Sequence, residues 1–400
     1  MPRWSDERAK GMKYVDEFRD ADLARGIAAA IGREAGKAGV AGRAYHLMEF
    51  CGGHTHAISR YGIPDLLPAN VRMIHGPGCP VCVLPVGRID DAISIARQPG
   101  VILCTYGDVL RVPGSARVSL LKAKAQGADV RMVLSTMDAL RIAEDNPGRE
   151  VVFLAIGFET TTPPTALAIR AAQAKGLTNF TVFCNHVLTP SAIQNILESP
   201  EVRDLGTLPL DGFLGPAHVS VIIGSRPYEY FAEEYRKPVV VAGFEPLDVL
   251  QAILMLIRQV NEGRAEVENQ FTRAVTREGN VKAQQLVADV FEMRRSFEWR
   301  GLGPVPYSGL RIKEAYAAFD AERRFAVPGR SVPDHKGCEC GAILRGVKKP
   351  SDCKLFATVC TPENPMGSCM VSAEGGCAAH YTYGRFRDHQ TSSNQGAEAV

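Results

Sequence analysis

Residues Ala44 to His56 read A-Y-H-L-M-E-F-C-G-G-H-T-H, and the fold turns on the first half of that stretch. A short apolar run that stops at a cysteine and two glycines suits a buried strand better than a helix. The same shape returns in V-R-M-I-H (71–75), V-I-L-C-T-Y (101–106) and V-R-M-V-L (130–134), with helical patterns such as R-I-D-D-A-I-S-I-A-R (88–97) and S-L-L-K-A-K-A (119–125) between them. From Val151 a second series follows: V-V-F-L-A-I-G-F-E-T, F-T-V-F-C-N-H-V, D-G-F-L-G-P-A-H-V-S-V-I-I-G and P-V-V-V-A-G-F-E-P. Strand alternating with helix predicts mostly parallel sheets with helices on their faces.

Four hundred residues exceed what one core usually organises. The expected fold is therefore α/β, with two tandem open, mostly parallel domains around a cleft and a small cysteine-rich domain after them. The expected division is a helical segment at 1–44, domain I at 45–148, domain II at 149–330, the cysteine-rich domain at 331–384 and a disordered tail at 385–400. Within domain II, the pattern from Leu247 to about Phe325 reads as helical in three runs, L-D-V-L-Q-A-I-L-M-L-I-R-Q-V, V-K-A-Q-Q-L-V-A-D-V-F and I-K-E-A-Y-A-A-F. Helix caps are expected at Ser135 with Asp138, at Thr162 before Pro163 and at Thr189 before Pro190.

With 46% hydrophobic and 22% charged residues and a formal charge of +2, the chain has the balance of an ordinary globular protein. No Lys/Arg run offers a surface to nucleic acid, no apolar stretch is long enough to span a membrane, and the opening M-P-R-W-S-D-E-R lacks a signal-peptide core. A cytoplasmic location is expected.

Eleven cysteines in such a chain point to metal or redox use rather than to a disulfide framework. Cys104 and Cys184 lie alone in apolar runs and read as buried hydrophobes. Three others accompany histidines between Glu49 and Pro85, where Cys51, His54, His56, His75, Cys79 and Cys82 stand among glycines and prolines. Cys79 and Cys82 form C-P-V-C after a predicted strand and a Gly76-Pro77-Gly78 turn. This is a pair able to cycle between dithiol and disulfide. Cys51 beside His54 offers a soft thiolate and an imidazole, a set that suits Fe, Zn or Cu.

The remaining six cysteines follow the spacing C-x-C-x12-C-x6-C-x8-C-x7-C from Cys338 to Cys377. That segment lacks a core-forming pattern, and a metal centre would supply its nucleus. Paired C-x2-C knuckles of a zinc site are missing, whereas an iron–sulfur cluster takes four thiolates at irregular spacing. The expected ligands are Cys340, Cys353, Cys360 and Cys377, with Cys338 and Cys369 left as a redox pair. In the turn G-F-E-T-T-T-P-P (157–164), Glu159 is expected to face the cleft as a catalytic carboxylate. Asn185-His186 and His218 are secondary candidates at strand ends, and no P-loop or dinucleotide fingerprint is present.

Taken together, C-G-G-H-T-H (51–56), G-P-G-C-P-V-C (76–82), G-F-E-T-T (157–161) and the six-cysteine block closely resemble the HypD family of [NiFe]-hydrogenase maturation factors. The likeness covers the chain from about residue 10 to 383. It implies two α/β domains around a cleft and a C-terminal [4Fe-4S] cluster. It further implies a scaffold role with the chaperone HypC, on which iron receives two cyanides and one carbon monoxide, the cyanide coming from HypE with HypF. On this resemblance Cys51 holds the iron with a cysteine of HypC, His54 is its motif neighbour, and Cys79 with Cys82 form the redox pair. Electrons would pass from the cluster through Cys338/Cys369 to Cys79/Cys82. A monomer that enters heterocomplexes is implied. The competing readings are an iron–sulfur-dependent thiol–disulfide reductase, which leaves C-G-G-H-T-H without a task, and a zinc-stabilised scaffold without redox chemistry.

Overall fold

A computed structural model describes residues 16–37, 39, 42–200 and 209–385. The expectation of a disordered tail falls almost wholly outside the described residues, as do the first fifteen residues of the N-terminal segment.

Two parallel sheets dominate. The first orders its strands β2-β1-β7-β8-β9, from β1 (Tyr45–Glu49), β2 (Val71–His75), β7 (Gly212–Pro216), β8 (Val239–Ala242) and β9 (Val267–Asn269). The second has the order β4-β3-β5-β6, from β3 (Val101–Thr105), β4 (Asp129–Met132), β5 (Glu150–Gly157) and β6 (Phe180–His186). Every residue of β3 and β6 is buried, as a sheet covered on both faces by helices requires. This is the expected α/β architecture.

The sheets are not consecutive along the chain, however. The expected boundary at 148/149 falls inside the second sheet, between β4 and β5, and β1 pairs with β7 through Leu47↔Gly212 and Met48↔Phe213. The chain starts one sheet, builds all of the other, and returns to finish the first. Hydrophobic periodicity reports which runs are strands but carries nothing about which strand each one pairs with.

A further feature lies at residues 291–312, in the gap between the second and third of the runs read as helical. After helices Pro246–Asn261 and Val281–Val290 the chain forms two antiparallel pairs, β10 (Phe291–Met293) with β13 (Leu310–Ile312) and β11 (Ser296–Trp299) with β12 (Gly303–Pro306). Phe297 and Trp299 are buried on alternate positions of β11. Gly301 and Gly303 take positive φ in the turn. Only a 3-10 turn, Glu314–Phe319, remains of the last expected helix.

Ser135 and Asp138 form the expected capping box. The other two caps shift by one residue: Thr162 and Thr189 open their helices, after Thr161 and Leu188. Helix Ala21–Ala35 starts at an Asp20 cap and packs along Pro246–Asn261. The cysteine-rich segment consists of short turns and helices, and it docks on the turn after β3. There Arg111 donates to the carbonyls of Pro362 (3.2 Å) and Val371 (2.8 Å), and the Ser372 hydroxyl donates to Asp108 (2.9 Å). Among the described residues no helix is long and apolar enough to cross a membrane.

Candidate functional site

At the carboxyl end of β1 the chain turns through Cys51, the N-cap of helix Gly52–Arg60. Ligands gather at strand carboxyl ends in open α/β sheets, and here the turn is unusually tight. A Cβ on Gly52 would strike Glu374, one on Gly53 would lie 2.7 Å from the Phe244 ring, and one on Gly78 would lie 2.3 Å from Cys51 N. Glycines are therefore required where the two cysteine motifs touch each other.

Cys51 is buried, and its thiol lies 3.6 Å from His218 Nδ1. Burial, with smaller contributions from Glu374 and Glu49, pushes the thiol well above its ordinary range. His218 is held down to about 4, chiefly by burial. The imidazole that meets the thiol is thus the secondary candidate His218, and not His54, which is nearer in sequence. His54 is fully buried on the far side, where its Nε2–H donates to the carbonyls of Ala242 (3.1 Å) and Gly243 (2.9 Å) and its Nδ1 finds no partner. Burial lowers its pKa as well. Phe244 lies between the two rings, 4.9 Å from His54 and 4.1 Å from His218 between centroids.

Cys51 and His218 line a cleft of about 460 Å³ between the two sheets, together with Tyr106, Asp108, Phe158 and Glu374. Glu374 is raised by burial and by the neighbouring acids Asp108 and Glu49. Sequence reasoning missed Glu49 altogether. It is 0% exposed, and its carboxyl group accepts hydrogen bonds from Cys51 N (2.9 Å) and from the Thr55 hydroxyl, while His75 Nδ1 lies 2.9 Å away. An acid inside an apolar strand, two residues before a cysteine, was the available signal. His56, the other histidine without a task, packs edge-on against Tyr383.

Cys79 and Cys82 are joined as a disulfide, with Cys79 capping the short helix Pro80–Val83. The cysteine-rich segment sits directly on this pair, where the Ser368 hydroxyl donates to Cys82 O at 2.7 Å. Four expected ligands, Cys340, Cys353, Cys360 and Cys377, line one recess with Cys338 and the apolar side chains Ile343, Leu355, Phe356, Met366 and Met370. Cys369 lies fully buried behind it, with its thiol against those of Cys340 and Cys377. The Cys340 thiol also meets Cys338. A Cβ on Gly367 would fall 2.5 Å from Cys338 Sγ and 2.6 Å from Cys340 Sγ. The thiols face a shared space without meeting at a point: among the described residues no three His, Cys, Asp or Glu side chains converge as for a single ion. A thiol-lined, apolar recess with a glycine packed against two of its thiols fits the donor set of an iron–sulfur cluster.

Glu159 is 7% exposed and is used locally, since its carboxyl oxygens accept from Thr189 N (2.8 Å) and the Thr189 hydroxyl (3.0 Å), at the start of the helix after β6. It lines a separate apolar recess with Leu188, Ile223 and Phe291 rather than the cleft of Cys51. Burial raises it to about 7. His186 is likewise structural, with Nε2 2.9 Å from the Thr165 hydroxyl. Cys104 and Cys184 are fully buried in the second sheet, as expected.

With this geometry in place, comparison with known proteins is informative. The family model HypD, described as "Hydrogenase formation hypA family", matches residues 22–384. A hydrogenase maturation factor HypD of Cupriavidus necator is 71% identical over 377 residues, covering 94% of this chain and 98% of that protein. The hydrogenase maturation factor HypD2 of Bradyrhizobium diazoefficiens is 70% identical, covering 95% and 99%. The HypD of Escherichia coli is 47% identical, covering 93% and 98%. The match runs through the β1 turn, the disulfide turn and the cysteine-rich segment alike, and the chain belongs to the HypD family of hydrogenase maturation factors.

Proposed function

We propose that this chain is the scaffold on which the Fe(CN)2CO unit of a [NiFe]-hydrogenase is assembled in the cytoplasm. In this reading the iron is cargo, held by Cys51 and a cysteine of a HypC-type chaperone, while a HypE–HypF pair delivers cyanide. The observation that carries it is the placement of Cys51, a buried thiol at a strand end that opens on a cleft, 3.6 Å from an imidazole and in backbone contact with the disulfide turn. A soft thiolate suits low-valent iron. Because burial opposes ionisation of Cys51, the thiol gives up its proton only as the metal cation arrives, and His218 is the acceptor within reach.

Cys79 and Cys82 supply the redox step, in which the dithiol closes to the disulfide as its two electrons pass to the iron cargo or its ligands and two protons leave. Cys340, Cys353, Cys360 and Cys377 would hold a [4Fe-4S] cluster, whose contribution is single-electron transfer, with Cys338 and Cys369 as the adjoining thiols. The Ser368–Cys82 hydrogen bond supports a direct route between recess and pair. The protein acts as a monomer within heterocomplexes. A thiol–disulfide reductase would use the disulfide and the cysteine-rich segment but would leave the Cys51–His218 contact idle.

Replacing Cys79 by Ala and recording the cyanide and carbonyl infrared bands of the complex with the chaperone tests the redox role. The bands are expected to be lost. Unchanged bands with full hydrogenase maturation would remove that role, and turnover of a dithiol substrate without any partner would favour the reductase.

A further inference from the structure

Two of the three thiol regions are tied to one buried acid, and the third borders its partner His75. Glu49 Oε2 takes the N–H of Cys51, and Oε1 takes the Thr55 hydroxyl and bonds His75 Nδ1 at 2.9 Å. His75 is the last residue of β2, four positions before Cys79 in H-G-P-G-C. Its ring also borders the cysteine-rich segment, because a Cβ on Gly376, the neighbour of Cys377, would lie 3.8 Å from it. The backbone doubles the link: Gly76 N–H donates to Glu49 O (2.9 Å) and Gly52 N–H to Gly78 O (3.0 Å). Burying a carboxyl group is costly unless its oxygens are satisfied, and both oxygens here are spent on residues of the two motifs. Neither oxygen faces the cleft's contents, so the group does not act on a substrate.

We propose that Glu49 is a positioning residue, with His75 as its arm, that makes the Cys51 turn and the Cys79–Cys82 turn one mechanical unit. The reactivity of the Cys51 thiol then depends on whether the Cys79–Cys82 disulfide is closed or open. Opening it with dithiothreitol puts two electrons and two protons on Cys79 and Cys82, frees the 76–82 turn, and through His75, Glu49 and the Cys51 N–H loosens the start of helix Gly52–Arg60. This deepens the reading of Cys51 and the disulfide as one site, and it needs neither iron nor a partner.

The test is the rate of Cys51 alkylation by iodoacetamide on the full chain, followed peptide by peptide by mass spectrometry, in the oxidised and the dithiothreitol-reduced states. The native protein is expected to show rates differing by about ten-fold between the two states, the factor that one hydrogen bond commands. Glu49→Ala and His75→Ala are expected to bring the two rates within about two-fold of each other, with a closed disulfide and native circular dichroism. His75→Gln keeps an N–H for Glu49 and is expected to restore the difference. His75 is partly exposed, so its variants report even where Glu49→Ala fails to fold. Equal rates in the native protein, or an undiminished difference in His75→Ala, would overturn the proposal. Loss of infrared bands in the iron-loaded complex reports on the assembly reading instead, so the two can fail separately.

Discussion

After β1 and after β5 the chain makes the same move. An apolar strand ends, a glycine or pair of glycines lets the backbone turn closely, a buried glutamate is satisfied by hydrogen bonds, and a helix begins. Both turns border the cleft, the first through Cys51 and the second through Gly157, Phe158 and Thr161. Their glutamates serve different ends. Glu49 divides its oxygens between its own turn, at Cys51 and Thr55, and His75 ahead of the other thiol motif, whereas Glu159 spends both on Thr189, at the head of the helix after β6. The pairing partner, more than the residue type, makes one turn the candidate site and the other a wall.

Breaking the β1 turn is expected to cost most. In Gly78→Ala the new methyl meets the Phe50–Cys51 backbone, at 2.3 Å from Cys51 N and 2.6 Å from Cys51 Cα, which cannot swing away. A loss of about 3 kcal/mol, at the upper end of overpacking costs, is expected in chemical denaturation. Breaking the β5 turn costs less. Gly157→Ala places a methyl on the Thr161 side chain and imposes a φ of +140. The Thr161 hydroxyl can rotate, but its Cβ at 2.8 Å and the strained backbone must both give, so about 2 kcal/mol is expected from the same measurement.

A pH series sharpens the contrast between the two acids. Glu159 stands at about 7 in the folded protein against 4.5 when exposed. Its protonated form therefore contributes stability that is complete below about pH 4.5 and is lost as pH rises through about 7. Denaturation midpoints are expected to fall between pH 5 and pH 8, by an amount on the order of 2 kcal/mol, and Glu159→Gln is expected to flatten that fall. A Glu159→Gln protein with the native pH dependence would assign the loss to another group.

The alternating apolar runs made the α/β class legible, because strands buried on both faces leave an unmistakable pattern in β3, β5 and β6. The spacing of cysteines likewise pointed to the recess where five of the last six thiols gather. What was not legible depended on distant partners. Pairing of β1 with β7 joins residues some 165 positions apart, such as Leu47 and Gly212. His218 approaches Cys51 across 167 positions, while the adjacent His54 turns away toward β8. The strands at 291–312 are too short to leave a strand pattern, although Gly301, Gly303, Pro304 and Pro306 spoke against a helix there. Glu159 was expected in the cleft because its turn borders it, yet one helix N-terminus captured the carboxyl group.

Comparison of the two turns comes down to whether Cys51 carries the cargo. The direct measurement is the infrared spectrum of the Cys51→Ala protein purified with the proposed HypC-type chaperone and compared with the same preparation of the native protein. Absence of the cyanide and carbonyl bands, with the Cys79–Cys82 disulfide and the iron and sulfide content of the cysteine-rich segment unchanged, is the predicted result. Native band intensities in Cys51→Ala would contradict it and move the iron to another part of the molecule.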